Sequence, residues 1–362
     1  MLRMAVPRIY TLSNGVQMPS VGLGTYRVRD QPTLDTCLLE ALRSGYRLID
    51  TATVYRNEAA IGNSLKRILE QNLIPGLTRQ DIFLTSKLAP KDQGYDACYQ
   101  AVTDSLRNLQ VDYIDLYLIH WPGTSKLKLQ DPQNAINRVE SWRALEDLYH
   151  GKKLRAIGVS NYTLAHLAQL IERPHNSHAH HQDSTTMATG TAVPLARTMV
   201  IPHVHQFEMH PRLFQKPLVD YCQAHRIQVQ AYSSLGESRL VSLTPPPPPA
   251  MDSNYNTAPL PGALDIMPGL IRKYFAHVTS TTAHLSEEEE KEEYPRRAAQ
   301  ILLRWGLQHG AVVIPKSTHP ERIRNNIDLF SFAIDNQDMA ALDAYSVEGE
   351  RTRYCWDSTD VY

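Results

Sequence analysis

Eight short apolar runs, each followed by a stretch of helical periodicity, constrain this chain more than any other feature of it. The runs fall at 21–25, 47–50, 82–87, 114–120, 154–159, 204–207, 227–232 and 311–314. Between them, apolar residues recur at helical spacing. Ile61, Leu65, Ile68 and Leu69 share one face, as do Val102, Leu106 and Leu109, and as do Leu164, Leu167 and Ile171. Further helices are expected at 33–44, around Trp142 to Tyr149, at 217–225, at 295–308 and from Pro320. Eight strand-helix alternations predict an α/β chain folded as a (β/α)8 TIM barrel. A doubly wound open sheet is the rival, but no GxGxxG follows any of the strands. Ahead of the first strand, Ser13-Asn14-Gly15 separates two short runs, and Asn-Gly predicts a tight N-terminal β-hairpin.

A barrel brings its strand C-termini to one mouth. Three strands here end in groups that move or hold protons: Asp50, Lys87 and His120. Tyr55 follows Asp50 by five residues, in the loop after the strand. A carboxylate, an ammonium, a phenol and an imidazole converging at one site suggest proton transfer to a carbonyl oxygen.

The bulk properties exclude several classes. Lysine and arginine number 37 against 38 acidic residues, for a net charge of -1, so no field for nucleic acid or anionic membrane is implied. The four cysteines are widely spaced, and reduced thiols are expected. No run approaches the ~18 apolar residues that span a bilayer. The N-terminus lacks the apolar core of a signal peptide. These features predict a cytoplasmic protein with no membrane or nucleic-acid partner, and a monomer is expected because no apolar surface stripe stands out.

Three stretches break the rhythm. Residues 123–137 read as a polar loop, while 173–198 and 237–294 read as flexible insertions on a single barrel domain covering 1–362. The second insertion carries the proline run 245–249, which favours extended polyproline structure. His175, His178, His180 and His181 lie in low-complexity surroundings with no cysteine near, so no specific metal site is expected. Glu287 to Glu290 follow Ser286, a pattern that suits a helix N-terminus.

A series of motifs runs in order along the chain: Gly22-Leu23-Gly24-Thr25-Tyr26, the run from Asp50 to Glu58, Thr85-Ser86-Lys87, and the run from Val111 to Pro122. It continues through Ile157 to Asn161, Gln206-Phe207-Glu208, Ala231 to Gly236 and Val313 to Ser317, with Cys355-Trp356-Asp357 near the C-terminus. Together these motifs carry a resemblance to the aldo-keto reductase family. It implies NADPH-dependent reduction of aldehydes and ketones. In it Tyr55 is the proton donor, Lys87 lowers the phenol's pKa, Asp50 holds Lys87, and His120 orients the substrate carbonyl. Ser160, Asn161 and Gln206 correspond to ligands of the nicotinamide carboxamide, and Tyr232 to the ring stacked on the nicotinamide. Ser233 and Leu235 correspond to residues near the pyrophosphate, and Thr25 belongs to the same cofactor set. Lys316, Ser317 and Arg322 correspond to the pocket for the adenosine 2′-phosphate, and Asn326 to an adenine contact. Asn325 stands where many relatives have glutamate. Tyr26 and Trp121 are expected to line the pocket of a small-molecule carbonyl substrate. The long segment after Gly236 departs from the family, so cofactor affinity and release do not carry over. An alternative stays open: some relatives, such as potassium-channel β subunits, serve a partner complex, and this chain could bind NADPH in a regulatory role with little turnover. A Schiff-base role for Lys87 is a third possibility from the barrel alone, and Asp50, Tyr55 and the Lys316 to Arg322 cluster weigh against it.

Overall fold

A computed structural model describes residues 6–172, 199–242, 262–279, 287–346 and 352–362. An antiparallel hairpin, β1 (Ile9–Thr11) and β2 (Gln17–Pro19), precedes eight parallel strands. The first half of the barrel runs β3 (Gly22–Gly24), α1 (Gln31–Arg43), β4 (Leu48–Asp50), α2 (Glu58–Glu70), β5 (Phe83–Leu88), α3 (Tyr95–Leu109), β6 (Ile114–Ile119) and α4 (Gln133–His150). The second half runs β7 (Leu154–Ser160), α5 (Leu164–Ile171), β8 (Val204–Glu208), α6 (Lys216–Ala224), β9 (Gln228–Tyr232), α7 (Met267–Thr279), α8 (Glu287–Gln308) and β10 (Val312–Val313). Two helices, α9 (Pro320–Ile327) and α10 (Asn336–Asp343), complete the α-helices and strands of the described residues.

Each strand pairs with its successor, from β3 to β10. A parallel bridge between Val21 and Val313 brings the last strand back to the first. The Gly24 amide also donates to the Pro315 carbonyl at 3.0 Å, so the sheet returns on itself as a barrel.

The pleat sorts the side chains. In β5, Phe83 faces the barrel interior while Leu84 and Leu88 join the layer between barrel and helices. The interior's lower part is apolar: Leu48, Phe83, Leu116, Val204 and Val312 meet Leu12 and Met18 from the hairpin, which plugs the bottom. The hairpin turn depends on Gly15, whose φ of 85° is open to glycine at no steric cost. Gly158 in β7 serves a different need, since a Cβ there would lie 2.2 Å from the Val204 carbonyl oxygen. The upper interior is polar, and the site is built there.

The strand and helix expectations for the barrel hold, with differences at several helices. α4 begins at Gln133, inside the stretch expected to be loop, and α8 begins at Glu287 rather than Pro295. α8 therefore opens on the four glutamates, as their pattern suggests. α7 falls within 237–294, and its Met267, Leu270, Ile271 and Phe275 pack into the core, so that part of the stretch is packed structure. α10 was not anticipated. It is held where the buried Trp305 indole donates to Asp343 at 2.7 Å. The four histidines of 173–198 and the proline run lie outside the described residues. The four cysteines are free thiols. Among the described residues no helix is long and apolar enough to cross a membrane.

Candidate active site

The loop after β4 carries Tyr55, and Asn57 fixes that loop. The buried Asn57 amide donates to the carbonyls of Thr25 (3.0 Å) and Val28 (2.8 Å), while Thr51 Oγ1 donates to Asn57 Oδ1 at 2.5 Å. The loops after β3 and β4 are thereby tied together. Residues Thr53–Tyr55 form one turn of 3-10 helix, closed by Arg56 in the left-handed region at φ 59°. Tyr55 is left half-buried over the strand ends.

Beneath it sits Lys87, with no solvent exposure. Its Nζ donates to Asp50 Oδ1 at 2.6 Å, to the Thr51 carbonyl at 2.8 Å and to Tyr55 Oη at 3.4 Å. The second Asp50 oxygen accepts from Gln206 Nε2 at 2.8 Å. The His120 ring meets the Tyr55 ring edge-on, with centroids 5.7 Å apart. His120 Nδ1 is shut away from solvent with no partner among the described residues, which leaves Nε2 as the nitrogen open to the cleft.

Burial sets the charge states here. It pushes the Lys87 ammonium below its usual pKa, against the pull of Asp50. Burial first and the Lys87 charge second push His120 well below the ordinary histidine value, so the imidazole is neutral. Tyr55 goes the opposite way from the sequence expectation. Burial raises its phenol well above the usual value, and Asp50, then Tyr26 and Cys355, add to the rise. The Lys87 charge is largely compensated by Asp50 2.6 Å away, so it cannot outweigh the lost solvation of a phenolate.

These groups open into a cleft of about 820 Å³. Asp50, Tyr55 and His120 line it, with Tyr26 and Trp121 beside them. Thr25, Asn161, Gln206 and Tyr232 line it as well, and Ser233, Leu235 and Lys316 extend it along the ends of β9 and β10. Asn161 is a junction: its amide donates to the His120 carbonyl at 2.9 Å and to Ser160 Oγ at 3.1 Å, and its Oδ1 accepts from Tyr232 Oη at 2.7 Å. Lys87, Ser160, Ser317 and Asn326 are buried and not part of the lining. Arg322 is exposed on α9, also away from the lining.

The Cys355-Trp356-Asp357 motif of the tail 352–362 supplies Cys355 and Trp356 to the cleft, a role not assigned to these two residues from sequence, with Trp356 edge-on to Trp121 at 6.2 Å. Buried Glu208 holds that tail, accepting from the amides of Tyr354 (2.6 Å) and Cys355 (3.1 Å) and from His210 Nε2 (3.0 Å). Glu208 lies in the Gln206-Phe207-Glu208 motif, and its place at a strand end was the available signal. Gln230 was also missed. It is fully buried and accepts from Gln206 Nε2 at 3.0 Å. Among the described residues no cluster of potential metal ligands is present.

The sequence profile of the aldo/keto reductase family matches residues 20–347. The chain belongs to that family. Glyoxal reductase of Bacillus subtilis (strain 168) is 35% identical over 92% of this chain and 91% of its own length. Morphine 6-dehydrogenase of Pseudomonas putida is 34% identical over 92% and 90%. Among solved structures, a Bombyx mori aldo-keto reductase in complex with NADP superposes with a TM-score of 0.70 at 28% identity, covering 98% of this chain and 96% of that one. As an aldo-keto reductase, the chain is an oxidoreductase, and the hairpin-plugged barrel with its polar mouth is the fold of the family.

Proposed function

We propose that this aldo-keto reductase reduces aldehydes and ketones to alcohols with NADPH, and that Tyr55 is the proton donor. The observation that carries this is the buried Lys87 Nζ, bonded to Asp50 at 2.6 Å and reaching Tyr55 Oη at 3.4 Å beneath the cleft.

The residues present fit a dinucleotide. Ser234 Oγ lines the cleft, buried and without a partner among the described residues, so it is a hydroxyl waiting for an acceptor or donor. Lys316 offers a positive charge on the same side of the mouth, for a phosphate. Ser160, Asn161 and Gln206 would hold the carboxamide and Tyr232 the ring, with Thr25, Ser233 and Leu235 along the cofactor's length. Ser317, Arg322 and Asn326 would complete the adenosine end. Bound NADPH supplies a hydride to the carbonyl carbon.

The protein's own groups handle the oxygen. A carbonyl placed between Tyr26, Trp121 and Trp356 directs its oxygen toward Tyr55 and His120. Neutral His120 donates through Nε2 and so polarises and orients the carbonyl. Tyr55 holds its proton firmly until negative charge develops on that oxygen, then delivers it. The proton leaves a phenolate beside the Lys87 ammonium, the cation that stabilises it. Asp50 keeps that ammonium in place throughout.

NADPH consumption with aromatic aldehydes and dicarbonyls, wild type beside Tyr55→Phe, tests this. The expected result is turnover reduced by roughly 10²- to 10⁴-fold in the variant with NADPH binding retained. Tight NADPH binding by the wild type without turnover on any carbonyl would instead favour a regulatory role.

A further inference from the structure

Gln206 spans the barrel. β8 lies opposite β4 in the ring of eight strands, yet Gln206 Nε2 reaches Asp50 Oδ2 at 2.8 Å. The same nitrogen donates to Gln230 Oε1 at 3.0 Å, across the Gln206–Gln230 register pair of β8 and β9. The carboxylate of Asp50, bound to Lys87 through its other oxygen, can only accept. The Gln206 amide must therefore turn its nitrogen inward. Its second N–H then needs an acceptor, and Gln230 provides one. Both amide protons of Gln206 are consumed in the interior, and its oxygen is the atom left to face the cleft that Gln206 lines.

Gln230 serves this arrangement at a cost. Its own Nε2 is fully buried and has no partner among the described residues. Leucine or methionine would fill the same space with no unsatisfied nitrogen, so packing alone gives no reason for glutamine here.

We propose that Gln230 is a positioning residue for cofactor binding: by accepting the second amide proton of Gln206, it locks that side chain with its oxygen toward the cleft, as an obligate acceptor for the N–H of the nicotinamide carboxamide. The inference rests on the proposed NADPH-dependent function, and it gives Gln206 one fixed polarity there.

The test is a double-mutant cycle read by NADPH fluorescence titration, with thermal unfolding as the control. Gln230→Leu is expected to stay near the wild-type melting temperature, because it removes one buried orphan nitrogen while leaving one Gln206 N–H without its acceptor, and to weaken NADPH binding roughly tenfold, the size of one misplaced buried hydrogen bond. In a Gln206→Met background, Gln230→Leu should change the affinity no further, because its whole effect passes through Gln206. Multiplying effects, or wild-type affinity in folded Gln230→Leu, would overturn the proposal. Gln230→Glu retains an acceptor oxygen and is expected to bind NADPH within about threefold of wild type. If Gln230→Leu does not fold, a large loss in Gln230→Glu overturns the proposal in its place. A wild-type protein that binds no NADPH would remove the functional reading and this inference together, whereas the other outcomes bear on Gln230 alone.

Discussion

Asp50→Asn is the substitution whose consequence follows most directly from the geometry. The Lys87 side chain has no solvent exposure and that of Asp50 only 3%, so neither charge can turn to water. Removing the carboxylate leaves the ammonium with the Thr51 carbonyl at 2.8 Å and the Tyr55 hydroxyl at 3.4 Å. Asparagine restores only a neutral acceptor: with its oxygen toward Lys87, its NH2 group faces Gln206, whose amide must turn over to accept from it, and the ammonium is left without a counter-charge. Breaking a buried pair on one side costs about 3–5 kcal/mol. At about 2 °C per kcal/mol for a large domain, the melting temperature should fall by about 6–10 °C. The double variant Asp50→Leu with Lys87→Met removes both charges and should recover most of that loss. Thermal unfolding followed by circular dichroism measures all three proteins. A melting temperature for Asp50→Asn within about 1 °C of wild type, at that sensitivity, would refute the claim that the pair is uncompensated once broken. So would a double variant as unstable as the single one.

Two further outcomes are expected. Glu208→Ala removes the acceptor of two tail amides, so tryptic cleavage after Arg353 should accelerate at least about tenfold, the effect of losing one charge-assisted hydrogen bond; an unchanged rate would show that the tail is held elsewhere. Stability should also fall as the solution becomes acidic, beginning below about pH 6.5. Burial lowers the folded-state pKa of His120, His166, His203 and His205, the last to about 3, so the unfolded chain binds protons that the folded one refuses. For His205 alone the loss at pH 5 is about 2 kcal/mol. The raised carboxyls of Glu58 and Glu237 act in the opposite direction, two groups against four. Urea midpoints at pH 7 and pH 5 measure the balance, and an equal or higher midpoint at pH 5 would contradict it.

Much of the barrel was legible in the sequence because strand ends and helix faces are local patterns. Asn14-Gly15 marks the hairpin, and each strand is a short apolar run that stops at a polar or turn residue. α7 carried its own signal: Met267, Leu270, Ile271, Tyr274 and Phe275 follow helical spacing. Pro268 and the low-complexity residues before it masked that spacing. The tetrad residues could be placed at one mouth because strand C-termini must meet there. Their charge states could not be foreseen, since the rise in the Tyr55 pKa comes from burial and from an ion pair that cancels most of the lysine's field. Gln230 was missed for a related reason. A polar residue inside a strand resembles a solvent-facing one until closure of the sheet turns it inward.

The burial of Lys87 also bears on how this protein would meet electrophiles. An amine with no path to solvent, and with its lone pair engaged by a proton, is a poor target for acylating reagents while the barrel stays shut. Its labelling would proceed at the rate at which the molecule opens globally, while lysines such as Lys66 and Lys216 on the outer helices react at once. The same isolation disfavours imine formation with a carbonyl in the cleft, because the nitrogen would have to lose Asp50 and pass Tyr55 to reach it. The lysine thus meets the cleft through its hydrogen bond to Tyr55, and its covalent chemistry becomes a clock for unfolding.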